Sequence, residues 1–233
     1  DGYFDPSIGI MVNAYGFGPQ QYDLQMTKNT IDSLMNYVGF EHFTLIENQL
    51  KSDLSSFYLD FNAIAKGYAV DVLADFLKEN SLQNFFVEIG GEVVAKGQDF
   101  DNDKIWNFGI ETPNEKNTSR ELSYAISINN KALATSGNYR KFKVDSLTGQ
   151  RFVHTINPKT GLSEKSNVLS SSVVAETCAV ADAFATAFMA MGYDKAKTTI
   201  EKYQISALLI YVDEDNNMKT FMTEDLKKLT AEF

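Results

Sequence analysis

Residues 177–192 read TCAVADAFATAFMAMG, an apolar run of small residues with a single acid set inside it. The run predicts a helix closed by Gly192, and on a helix Asp182 and Thr186, four residues apart, stack two oxygen-bearing side chains on one face. A carboxylate flanked by Ala179, Val180, Ala181, Ala183, Phe184 and Ala185 cannot lie uncompensated in an apolar interior, because burying an unpaired charge costs several kcal/mol or more. Something cationic should therefore face Asp182. Three arrangements satisfy that demand: an ion pair with a distant Lys or Arg, a helix lying at the surface, or a hard divalent cation such as Mg²⁺ taking carboxylate, hydroxyl and carbonyl oxygens.

A second helix is predicted over residues 60–80, DFNAIAKGYAVDVLADFLKEN. Its inward stripe is read as Ala69, Leu73, Phe76 and Leu77, with Asp71, Asp75 and Lys78 mostly off that face. Lys66, in Ile64-Ala65-Lys66-Gly67, stands near the free N–H groups of a helix start, a combination suited to a phosphate. Taken alone, the segment reads first as a solvated lysine.

Between and beyond these helices the pattern alternates as strands do. Phe85–Ile89, Gly90-Gly91 and Val93–Ala95 read as strand, tight turn and strand, the glycines serving either a hairpin or the close approach of a ligand to bare backbone. Further strands are predicted at 105–111, 124–128, 131–135, 139–144, 152–156, 168–175, 206–212 and 218–222. Turn chemistry separates many of them, at Asn129-Asn130, Ser136-Gly137-Asn138, Leu147-Thr148-Gly149 and Pro158–Gly161. A helix is expected at 195–203. Near the start, residues 1–19 read as loop with a short helix, Thr27 or Thr30 caps a helix stopped at Gly39, and 42–47 and 56–61 read as strands around NQLKSD. Gly16-Phe17-Gly18 lacks the third glycine and preceding strand of a dinucleotide fingerprint. The whole predicts one α+β domain over 1–233, an antiparallel-rich sheet with packed helices and no visible repeat or linker.

The chain has 233 residues, 44% of them apolar, enough for a packed core. With 21 basic and 31 acidic residues its net charge is −10, which argues against nucleic acid or an anionic membrane as a general partner. Cys178 is the single cysteine, so no intrachain disulfide forms, and inside the small-residue helix it reads as a packing thiol.

Seven blocks occur in a fixed order: DGYFDPSIGIMVNAYGFG, DFNAIAKGYAVD, VEIGGEVVAKG, WNFGIETP, ALATSGNYRKF, HTINPKTG and ADAFATAFMAMG. Together, from residue 1 to about residue 213, they resemble the ApbE family of FAD:protein FMN transferases, which implies a single T-fold-like domain. The chain opens inside the family's first block, so a preceding segment that helps line the flavin pocket is expected to be missing. The resemblance implies Mg²⁺ bound by Asp182, Thr186 and the carbonyl of Ala63. It implies FAD contacts from Lys66, Glu88, Gly90, Gly91 and the Ser136-Gly137 turn. His154 is implied as the catalytic group, with Asp182 beside it. Glu88 stands where the family often has Asn or Asp, and Asn62-Ala63 replaces a common Gly-Gly. Expected partners are FAD and an acceptor flavoprotein subunit of an electron-transfer complex. The expected setting is outside the cytoplasm, as the soluble part of a periplasmic, lipid-anchored precursor. Three activities fit: FMN transfer to a threonine hydroxyl with release of AMP, Mg²⁺-dependent FAD hydrolysis to FMN and AMP, and FAD binding without chemistry.

Overall fold

The computed structural model describes residues 1–232 apart from 21, 23, 102, 114–120, 138–141, 145–150 and 164–165. The expected turn at Leu147-Thr148-Gly149 and the first part of the strand expected at 139–144 lie outside the described residues. Packing divides the domain expected over 1–233 into two compact units. One is built from Asp1–Phe61 and Lys141–Lys165, the other from Asn62–Arg140 and Ser166–Phe233.

In the first unit a 3₁₀ turn at Pro6–Ile8 leads into α1 (Gly9–Ala14) and α2 (Lys28–Met35). Thr27 caps α2 by accepting the Thr30 N–H at 3.2 Å, one of the two caps the sequence offered. Strands β1 (Phe43–Ile46) and β2 (Gln49–Ser52) form a hairpin, so the expected strand at 56–61 is replaced by β2. The cause is local: Glu47 and Asn48 both take positive φ, +48° and +63°, which makes a two-residue turn and brings Gln49 opposite Ile46. The unit's apolar centre gathers Met11, Tyr15, Ile31, Val38 and Ile156.

The second unit holds α3 (Asn62–Glu79), β3 (Phe85–Ile89), β4 (Glu92–Lys96), β5 (Gln98–Asp99), β6 (Lys104–Glu111), β7 (Leu122–Ile128) and β8 (Lys131–Gly137). The chain then passes through β9 (Phe142–Val144) and β10 (Arg151–Val153), which pair with each other in the first unit. It returns with β11 (Val168–Ala175), α4 (Cys178–Met191), α5 (Tyr193–Tyr203), β12 (Ser206–Val212), β13 (Met218–Met222), α6 (Glu224–Lys227) and β14 (Thr230–Glu232). Six strands in the order β13-β12-β11-β8-β4-β3 make one antiparallel sheet, and β14-β7-β6-β5 make another. Strand alternation then sorts the side chains. Ala134, Val173, Ala207 and Leu209 pack with Ala181, Ala185 and Phe188 of α4, while Leu133, Val174, Leu208 and Ile210 pack with Ile110, Ile126 and Ile128 of the four-stranded sheet. The expected α+β architecture is therefore present, with α3, α4 and α5 on one face of the larger sheet and the second sheet, with α6, on the other.

Helix α3 departs from its expected stripe. Gly67, Val70 and Ala74 are the residues it buries, whereas Leu73 and Phe76 are 47% and 60% exposed. The helix is apolar on more than one side, so periodicity alone could not select the inward one. The choice is made by Gly67 and Asp71, at the crossing with α4.

Candidate active site

Helices α3 and α4 approach to backbone distance at Gly67. A Cβ there would lie 2.4 Å from the Cys178 carbonyl oxygen and 2.8 Å from the Ala179 Cα, so the crossing admits only glycine. One turn further along α3, Asp71 accepts the N–H groups of Cys178 and Ala179 at 2.7 and 2.8 Å. It satisfies two otherwise orphaned donors and sets a negative charge at the positive end of α4. Cys178 itself is buried, and burial pushes its thiol up to about 12, so it packs as an inert group.

This crossing positions the predicted acid. Asp182 is 2% exposed, and its Oδ2 accepts the Gly67 N–H at 3.1 Å. Ala63 lies one turn before Gly67, and in a helix its carbonyl points along the axis toward that same N–H. The Asp182 carboxylate therefore sits against the first turn of α3, the turn to which Ala63 belongs. Burial raises the Asp182 pKa, opposed by the Gly67 hydrogen bond and by the charge of Lys66. Thr186, one turn along α4, shares a hydrogen bond of 3.1 Å with the Ser136 hydroxyl. Ser136 and Gly137 do not form the expected turn: they close β8, paired with Ser171 and Ser170 of β11. The reason is register, since β11 continues far enough to cover them, and it leaves the Ser136 side chain, rather than a row of free N–H groups, facing the site.

The phosphate-side candidates also meet. The Lys66 Nζ pairs with Oε1 of Glu92 on β4. Gly90 has φ +63°, and a Cβ there would lie 3.6 Å from the Lys66 Cδ, so the lysine stem runs along the bare backbone of the Gly90-Gly91 turn. The Gly91 N–H is already engaged, donating to Glu88 Oε1 at 2.9 Å. Glu88 therefore braces the turn, and of the ligand-facing groups expected here the cation of Lys66 is the one that stands out. Beside the turn opens a cavity of about 430 Å³ lined by Phe86, Glu88, Gly91, Trp106, Phe108 and Thr135 among others. Phe86 meets the Trp106 and Phe108 rings edge-on at 5.0 and 5.6 Å.

Glu92 is a functional candidate that pattern reading passed over. It is fully buried, and its Oε2 has no hydrogen-bond donor among the described residues. Burial raises its pKa, the Lys66 hydrogen bond and charge hold it back, and the charge of Asp182 adds to the rise. The signal was present: an acid in the apolar run Val93-Val94-Ala95 invites the argument applied to Asp182. Asp71 was passed over for the converse reason, because its distance from the assumed stripe suggested solvent.

As a donor set, the Asp182 carboxylate, the Thr186 hydroxyl and a helix carbonyl are hard oxygens suited to Mg²⁺. Among the described residues no three His, Cys, Asp or Glu side chains gather as a metal cluster, so a cation here relies on this mixed set. His154 belongs to the other unit. It follows β10 directly, half-buried at a bend, rather than lying on the strand expected at 152–156. Ser163 fastens this stretch, donating to the Val153 carbonyl at 2.5 Å.

A family model described as the ApbE family matches residues 1–209. The chain belongs to the ApbE family. Curated relatives named FAD:protein FMN transferase include that of Haemophilus influenzae, 36% identical over 99% of this chain, and that of Escherichia coli K12, 31% identical over 97%. The chain spans 66% and 64% of those two relatives. Among solved ApbE structures, the flavin transferase of Vibrio cholerae superposes with a TM-score of 0.84 at 33% identity, over 98% of this chain and 71% of the other. The ApbE protein of Thermotoga maritima gives 0.83 at 27% identity, over all of this chain and 73% of the other. The mixed fold with antiparallel sheets is thus the ApbE fold.

Proposed function

We propose that this chain carries the chemistry of an FAD:protein FMN transferase, moving FMN from FAD to a threonine hydroxyl of an acceptor flavoprotein and releasing AMP. The observation that carries the reading is the presence together, in an ApbE-family chain, of an oxygen set built on the buried Asp182 (with Thr186 and the Ala63 carbonyl) and a lysine held at a glycine turn (Lys66 at Gly90).

In this proposal the threonine oxygen forms a bond to the phosphorus of the FMN half of FAD. The bond from that phosphorus to the bridging oxygen breaks, and AMP leaves with the electron pair. Lys66 offsets the negative charge of the diphosphate, the largest electrostatic demand of such a transfer. Asp182, Thr186 and the Ala63 carbonyl would hold Mg²⁺, which supplies Lewis-acid polarisation of the phosphate oxygens when bound. His154 takes the proton of the threonine hydroxyl, on the strength of the family motif HTINPKTG. The acceptor is proposed to be a subunit of an electron-transfer complex. The setting is proposed to be the periplasm, with a lipid-anchored precursor.

The test is to incubate the protein with FAD, Mg²⁺ and an acceptor domain and to seek the FMN mass increment on a threonine. The expected result is labelled acceptor and AMP in equal amounts, both lost in Asp182→Ala. FMN and AMP with unlabelled acceptor would make the chain an FAD hydrolase, and intact FAD under every condition would make it a binding protein.

A further inference from the structure

We propose that Glu92 is a positioning residue, fixing the Lys66 ammonium at the Gly90-Gly91 turn to receive an anionic ligand. On the reading above, from which the ligand is taken, that anion is the diphosphate of FAD. The pair is lopsided: the acid is wholly buried on β4, inside the larger sheet, while the lysine is half-exposed. The buried partner is the anchor and the exposed one is presented. Left to itself a lysine of this length spreads over many rotamers. Here its stem lies along Gly90 and its head is tied from below, where Oε2 of Glu92 comes within 3.8 Å of the place a Gly90 side chain would begin.

Stability does not account for the arrangement. A carboxylate with one oxygen on a lysine and the other without a donor is a half-satisfied buried group, and well-packed apolar residues commonly serve a fold as well or better. What the pair does supply is a cation of fixed position at a turn whose Gly91 N–H is already committed to Glu88.

The test is a titration of FAD, read by flavin fluorescence in Mg²⁺ buffer, on Glu92→Gln, Lys66→Met and the double variant. Resonances of isotope-labelled lysine report the Lys66 ammonium independently of FAD. A charge-assisted hydrogen bond of this kind predicts that Glu92→Gln weakens FAD binding about tenfold or more. The double variant should bind no more than about twofold worse than Lys66→Met, because Glu92 acts through Lys66. Glu92→Asp, which keeps the charge one methylene back, should recover part of the loss and serves as the folded comparison if Glu92→Gln fails to fold. Wild-type FAD affinity in Glu92→Gln beside a loss in Lys66→Met would overturn the proposal and leave the transferase reading standing. So would losses that add in the double variant, which would mark a merely structural role. If neither variant changes FAD affinity, the diphosphate contact is wrong. The lysine spectrum then decides the positioning: an unmoved Lys66 signal in Glu92→Gln overturns it, and a shift toward free lysine upholds it.

Discussion

Lys66–Glu92 and Lys131–Glu176 are the same pair of residue types in the same unit, and their lysines are about equally exposed, at 47% and 42%. Their acids are not alike: the Glu92 side chain is 1% exposed and that of Glu176 is 78%. What separates an ion pair that belongs to a site from one that decorates a surface is the desolvation of one partner. Water screens the Lys131–Glu176 pair and would replace either half, whereas nothing replaces Lys66 for Glu92.

The sharpest way to break the comparison is to remove each lysine. Lys66→Met should cost up to ~3–5 kcal/mol in chemical denaturation at mildly alkaline pH, and Lys131→Met no more than ~1 kcal/mol. Equal losses would mean that burial of the acid does not decide the matter. The Lys66→Met loss should shrink as pH falls, since a protonated Glu92 needs no counter-ion.

Wild-type protein should show the same logic in its pH dependence. Glu92 and Asp182 both have folded pKa values raised, chiefly by burial. Their contribution to stability is therefore fully present below the ordinary carboxylate range and is lost as pH rises through the raised values. Without ligands the protein should be more stable in mild acid than at neutral pH across that window. Glu92→Gln should flatten the slope. A slope in Glu92→Gln as steep as in the wild type would remove Glu92 from the account.

Smaller effects are expected from the acids of α3. Asp71→Ala should cost about 0.5–2 kcal/mol through loss of its hydrogen bonds to the first two N–H groups of α4, with the Thr177 cap left in place. Asp75→Ala, which breaks only the exposed pair with Lys78 at 2.9 Å, should stay within about 0.5 kcal/mol. Glu176→Gln should likewise shift stability by no more than ~0.5 kcal/mol, and the shift should vanish in high salt.

The Asp182–Thr186 pair was legible in the sequence because a helix converts a spacing of four into a shared face, and an acid among alanines demands an explanation. Glycine turns and the antiparallel sheets were legible for similar local reasons. The inward face of α3 was not, because Tyr68, Val72, Leu73 and Phe76 are apolar yet exposed while Gly67 and Asp71 make the crossing. That choice depends on a partner helix more than a hundred residues away, which no window of sequence contains. Ser136-Gly137 misled for the same reason: serine and glycine look like a turn until β11 is found to extend over them. Glu92 marks a different limit, since its role appears only when β4 brings it under Lys66.

At Gly67 the spacer between two helices is a single hydrogen atom. The backbones that carry the carbonyl on one helix and Asp182 on the other are consequently gauged against each other by main chain, which has no rotamers to relax. Side-chain repacking elsewhere in α3 or α4 can alter how firmly the gauge is held, yet it has little purchase on the gap itself. A methyl group at 67 would act as a wedge: Gly67→Ala would prise Asp182 from its N–H donor and change the spacing of the proposed metal ligands while each was still present in the sequence.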